Sequence, residues 1–175
     1  LLEQLPAVDL DVKLKVTDAL IVNDDFPLLP SFKTTVEENY YAAVDNMDFS
    51  DPDQIAARIN EWADRNTDGF INKVIDPVEI SEHAVAYIMN ALYFKAKWAG
   101  TEYSPMFREE ATVPADFHLS DGRTIKADMM RNTRYHEYAE MDGYKVLVLP
   151  YARGRFNMYV LLPDENDIEG LLEKL

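Results

Sequence analysis

The stretch Ala84-Val85-Ala86-Tyr87-Ile88-Met89-Asn90-Ala91-Leu92-Tyr93-Phe94-Lys95-Ala96-Lys97-Trp98 is apolar at odd and even positions alike as far as Phe94. Such a run is either a strand with both faces covered or a helix buried all round, and period alone does not separate the two. Its aromatic and β-branched content favours a strand. Asn90 interrupts it. In a strand with no surface face that amide is expected to be satisfied inside. Two readings follow for Asn90: a structural buried amide that fixes register, or a polar latch holding two strands that later part. Trp98, after Lys95 and Lys97, reads on composition as a core or rim tryptophan.

Upstream, Val12, Leu14, Val16, Leu20 and Val22 alternate with other residues as in a long half-buried strand. From residue 30 to 41, Phe32, Val36 and Tyr40 recur at helical spacing, with Glu37 and Glu38 on the wet side. A short strand is expected over residues 43–49. Asp51 then suits a helix N-cap, Pro52 the first helical position, and Asp53 complements the positive helix end. Ile55, Ile59, Trp62 and Ala63 form one apolar stripe, and Gly69 offers the left-handed residue that closes the helix. A helix with one such stripe lies across something flat and apolar.

Downstream, strands are expected over residues 115–119, 124–129, 135–139, 144–151 and 156–162. Turn chemistry separates some of them at Ser120-Asp121-Gly122-Arg123 and Ala152-Arg153-Gly154-Arg155. Ile168, Leu171, Leu172 and Leu175 begin a helical pattern at the end of the sequence. The class is strand-rich α+β, with helices laid against mostly antiparallel sheets.

Of the 175 residues, 17 are Lys or Arg and 32 are Asp or Glu, a formal net charge of -15. That charge repels phosphate and disfavours nucleic acid, anionic membrane and heparin-type polyanions as partners. No apolar run reaches membrane-spanning length, and Leu1-Leu2-Glu3-Gln4 has neither a basic nor an apolar signal region. With no cysteine there is no disulfide framework, thiolate zinc site or cysteine nucleophile. Asp64, Asn66 and Asp68 with Gly69 imitate the first half of an EF-hand loop, but Ile75 stands where a bidentate Glu should close it, so a helix end and turn is the better reading. His83, His118 and His136 lack helix-ligand spacing, and Asp116 with His118 on one strand face finds no third metal ligand. No nucleophile elbow, zinc-protease helix or phosphate loop occurs, so neither enzyme, cofactor nor metal is expected.

The run from Asn90 to Trp98 resembles the serpin motif at strand three of sheet A. Ile59-Asn60-Glu61-Trp62 followed by Asn66-Thr67-Asp68-Gly69-Phe70-Ile71 resembles the serpin helix F and its exit. Asp18-Ala19-Leu20-Ile21-Val22 leading to Leu28-Leu29-Pro30-Ser31-Phe32 is similar to strand two of sheet A entering helix E, and Val44 through Phe49 resembles strand one. Phe107, Thr112, Phe117, Gly122 and Met129-Met130 resemble the strand run of sheet C; residues 144–151 and 158–165 resemble a strand pair of sheet B. Six such pieces in order over residues 10–175 identify the chain as a member of the serpin family.

The resemblance implies a fragment of the serpin fold, with parts of sheets A, B and C, helices E and F and the start of helix G. Residues 1–175 would form part of a single serpin domain, whose N-terminal helices and C-terminal reactive-loop portion are not in this sequence. It implies that Asn90 is the shutter asparagine, whose usual partners belong to helix B and strand five. Trp98 becomes the tryptophan of the breach, where the loop first enters, and Ile59 and Trp62 the apolar positions by which helix F packs on sheet A. It also implies an inhibitor outside the cell, whether extracellular, periplasmic or at the cell surface. Such an inhibitor traps a serine or cysteine protease when its cleaved reactive loop inserts into sheet A. A non-inhibitory carrier or chaperone, and a truncated serpin-like interaction domain, are the alternatives. Without strand five the apolar edge at residues 84–94 is expected to be unpaired, and Val146, Leu147 and Val160 uncovered. The remaining serpin chain or a second copy is then the expected partner for that edge.

Overall fold

The computed structural model describes residues 8–102, 104–165 and 167–175. Among these the chain forms two compact units, one of residues 13–95 and the other of residues 8–12 with 96–175.

The first unit is built on β1 (Val12–Asn23), α1 (Pro30–Tyr40), β2 (Ala43–Met47), α2 (Pro52–Asn66) and β3 (Ala86–Ala96). The strands form one sheet in the order β2-β1-β3. β2 runs parallel to β1, with Ala19 opposite Ala43 and Asn23 opposite Met47. Along β1 and β3 the contacts run in opposite senses, since Asn23 meets Val85 and Asp18 meets Asn90. Asn23, buried at the end of β1, donates its Nδ2 to the carbonyls of Glu82 and Ala84 and accepts from Asp25 N–H. It thus leaves no buried amide group unpaired while tying β1 to the approach to β3.

α2 crosses one face of this sheet. Ile55, Ala56 and Ile59 pack with Ile21, Phe49 and Ile80, with Tyr87 and Met89 of β3 against them. Trp62 and Ala63 pack on Ala19, with Met89 and Ala91 alongside. The stripe read from the sequence is therefore the buried face of the helix, and Asp51 accepts from Gln54 N–H at 3.1 Å as its N-cap. α1 differs: none of its residues is buried, and Phe32 and Tyr40 on its apolar stripe are 47% and 60% exposed. Of that stripe only Val36 is half-buried, so its cover within this unit is partial.

The second unit begins with two very short strands, β4 (Gly100–Thr101) and β5 (Ser104–Pro105). A hairpin of β6 (Val113–His118) and β7 (Thr124–Met129) follows. Then comes an antiparallel meander of β8 (Glu137–Met141), β9 (Tyr144–Tyr151) and β10 (Phe156–Pro163), in the order β10-β9-β8. α3 (Ile168–Leu172) is capped by Asp167, which accepts from Gly170 N–H. The strand expected at residues 135–139 lies two residues later. Asp142-Gly143 is a two-residue hairpin connection with Gly143 at φ 85°, which sets Met141 opposite Tyr144 and leaves Tyr135 outside the sheet. Val146 and Leu147 are half-buried and Val160 is 40% exposed. Asp9, buried, accepts from Asp11 N–H and from Arg153 N–H in the β9–β10 turn.

Candidate functional site at strand β3

β3 is an edge strand with two apolar faces and one helical cover. Tyr87, Met89 and Ala91 point to the α2 side and are half-buried. Ile88 and Leu92 point the other way and are 86% and 64% exposed. Asn90 lies between them, also exposed. Its amide is not enclosed, as the all-apolar run led one to expect. It donates from Nδ2 to Asp18 Oδ1 at 2.8 Å, across to β1. The difference has a simple cause: on this side of β3 the neighbouring Ile88 and Leu92 are themselves open, whereas Val22, farther along the same sheet face on β1, is buried.

α2 is fastened to the sheet by more than its stripe. Near its middle, Arg58 donates Nη2 and Nε to Asp45 Oδ2 on β2, at 2.5 and 3.0 Å. Asn60 holds the segment after the helix, accepting from Val74 and Ile75 N–H and donating to Ile75 C=O at 2.9 Å. At the C-terminus Thr67, 2% exposed, donates its hydroxyl to Ala63 C=O and accepts from Ile71 N–H. Asp68 then pairs with Lys13 and Lys15 of β1, and both lysines stand over the Tyr93 ring of β3 at 5.9 Å. Hydrogen bonds from Lys13 and then Lys15 hold the Asp68 carboxyl well below the usual range, at about 2. The same bond raises Lys13. The carboxylate that imitated a calcium ligand is thus one partner of an ion-pair triad.

Between the exit of α2 and β3 lies an open groove of about 510 Å³, lined by Trp62, Ile71, Val74, Met89 and Leu92 among others. Ile59, Trp62 and Asn90 all belong to this first unit.

Trp98 belongs to the second unit. Its indole stacks on Tyr151 at 4.5 Å and 12°, and meets Phe107 edge-on at 5.5 Å. Backbone bonds from Ala99 N–H to Pro150 C=O and from Ala152 N–H to Lys97 C=O, each 2.9 Å, flank the stack. Gly100 follows at φ 139°, where an added Cβ would come within 2.8 Å of Ser104 O, so only glycine fits.

Several contributing residues stand outside the apolar pattern of the sequence. Asp18 carried a signal, being the acidic gap in the alternation of β1. Lys13, Lys15, Arg58 and Asp45 carried none, because charged residues on a half-exposed face are ordinary. Asp116 and His118 do not converge on a metal: Asp116 pairs with Lys126 at 2.7 Å, and His118 Nδ1 bonds Thr124 Oγ1 at 3.0 Å.

The first unit is a sheet of order β2-β1-β3 under one crossing helix, and the second holds a stacked tryptophan and a β-meander. The family described as Serpin (serine protease inhibitor) matches residues 1–175. The chain belongs to the serpin family. Serpin-ZX of Arabidopsis thaliana is 34% identical over 169 residues, covering 93% of this chain and 42% of that protein. The native stressed structure of Arabidopsis AtSerpin1 superposes with a TM-score of 0.84 at 34% identity, covering 99% of this chain and 46% of that one. Serpin-12 of Manduca sexta superposes with a TM-score of 0.86 at 28% identity, covering 99% and 48%. The serpin sequence here therefore spans less than half the length of these relatives. Serpins are generally protease inhibitors, and this chain is an α+β part of their fold. No helix among the described residues is long and apolar enough to cross a membrane.

Proposed function

We propose that this chain is the sheet-opening portion of an inhibitor that traps a serine or cysteine protease by inserting a cleaved reactive loop into the sheet formed by β1, β2 and β3. The observation that carries the reading is β3 itself: an edge strand whose uncovered face presents Ile88, Asn90 and Leu92. An arriving strand would pair with that edge, and strand addition supplies main-chain hydrogen bonds along its whole length. In this reading residues 1–175 are part of one serpin domain completed by the rest of the protein. Asn90 is the latch that must release, Ile59 and Trp62 are the contacts by which α2 rides on the moving sheet, and Trp98 anchors the end where the loop enters. The protein works as a trap and not as an enzyme, and acts outside the cytosol.

The test is to mix the full-length protein with a panel of serine and cysteine proteases. A covalent complex that survives denaturing electrophoresis, together with a large gain in heat resistance of the cleaved inhibitor, is the expected result. Cleavage with neither outcome removes the trapping mechanism and leaves a carrier or interaction role.

A further inference from the structure

Two apolar strand faces each carry one polar interruption, and the two interruptions meet. On β1 the positions facing away from α2 run Leu14, Val16, Asp18, Leu20 and Val22; on β3 the same face runs Ile88, Asn90 and Leu92. Asp18 Oδ1 and Asn90 Nδ2 are 2.8 Å apart, and among the described residues neither side chain has another hydrogen-bond partner. Asp18 is half-buried. An ionised carboxylate only accepts, so the Asn90 amide cannot choose its orientation: Nδ2 turns to Asp18 and Oδ1 is left as an acceptor on the uncovered face.

We infer that Asp18 is a positioning residue for Asn90, holding the amide across the β1–β3 pair and deciding which group it presents to whatever covers that face. The contact is charge-assisted and spans two neighbouring strands, so it also resists their shear. The functional consequence rests on the trapping reading above; the coupling of the two side chains does not.

The experiment compares Asp18→Ala, Asp18→Asn, Asn90→Ala and the D18A/N90A double variant in the full-length protein. Three quantities are read: the Asn90 side-chain amide resonances, the urea midpoint, and the rate at which a synthetic peptide of the protein's own reactive loop anneals into the sheet. The wild type is expected to show one Asn90 amide proton shifted downfield, and Asp18→Ala to lose that shift. Annealing should speed up about tenfold in Asp18→Ala, the size of one lost charge-assisted bond, with no further gain in the double variant. Asp18→Asn keeps the shape but frees the amide to flip, so it should fold normally and anneal at an intermediate rate. An unmoved Asn90 resonance in Asp18→Ala, or single effects that multiply in the double variant, overturns the inference. A wild type that anneals no peptide defeats the trapping reading, while the resonances and the urea cycle still decide whether the pair is coupled.

Discussion

Asp68 accepts from Lys13 and Lys15 at once, and this double charge-assisted contact lowers its carboxyl to about 2, below an unfolded value of roughly 3.9. A carboxyl depressed on folding stabilises the fold above its unfolded pKa and loses that contribution as pH falls through the folded one. Asp68→Asn should therefore differ from the wild type by a constant amount above about pH 5, the difference shrinking toward zero as pH approaches 2. Urea midpoints across that range check it, and a difference that persists undiminished near pH 2 contradicts the assignment. Lys13 is shifted upward by the same bond, so its share is complete below the ordinary lysine value and fades only at strongly alkaline pH. Trp98 makes the other testable residue: stacked pairs contribute roughly 0.5–1.5 kcal/mol beyond their buried area. Trp98→Phe should cost about 1 kcal/mol and Trp98→Ala about 3 kcal/mol, read by denaturant unfolding with fluorescence. Asp68 and Trp98 were both legible as residue types, yet their partners were not. Lys13 lies 55 positions from Asp68, and no local pattern connects them.

α2 is the element that local sequence specifies most completely. Its cap, its proline and its stripe all act within a few residues, so their logic is local. Asp51→Ala removes the acceptor for Gln54 N–H and should destabilise by about 1 kcal/mol. Ile59, 4% exposed, sits inside the apolar cluster, and Ile59→Ala should cost about 2–4 kcal/mol. Glu61, exposed on the outer side, should tolerate alanine within about 0.5 kcal/mol. Urea unfolding of the three variants ranks them, and equal costs at Ile59 and Glu61 would contradict the packing described. The sequence of β3 specifies a strand but not its asymmetry. An all-apolar run states that both faces avoid water; it does not state that α2 takes the Tyr87–Met89–Ala91 face and leaves Ile88 and Leu92 open. β8 was displaced because the Asp142-Gly143 turn, not hydrophobicity, sets its register.

At the level of the whole chain, an exposed apolar strand at a sheet edge invites pairing with another copy. Produced alone, the 20.1 kDa chain is expected to elute as dimers or larger species. Ile88→Lys with Leu92→Lys should shift it toward monomer by placing charges on the open face. Light scattering coupled to size exclusion decides this, and a wild-type monomer at micromolar concentration would refute it. By itself the sequence determined the α+β class, the order of the longer strands and helices, the cap and stripe of α2 and the family; it carried no signal for the two-residue strands β4 and β5. These rest on periods of 2 and 3.6 and on short motifs, which act between near neighbours. The tertiary structure alone decided that β2 joins β1 in parallel, that β3 lies at an edge with one face bare, and that Asp18 faces Asn90. Those outcomes depend on which distant segments the chain path brings side by side, and side-chain period carries no record of that.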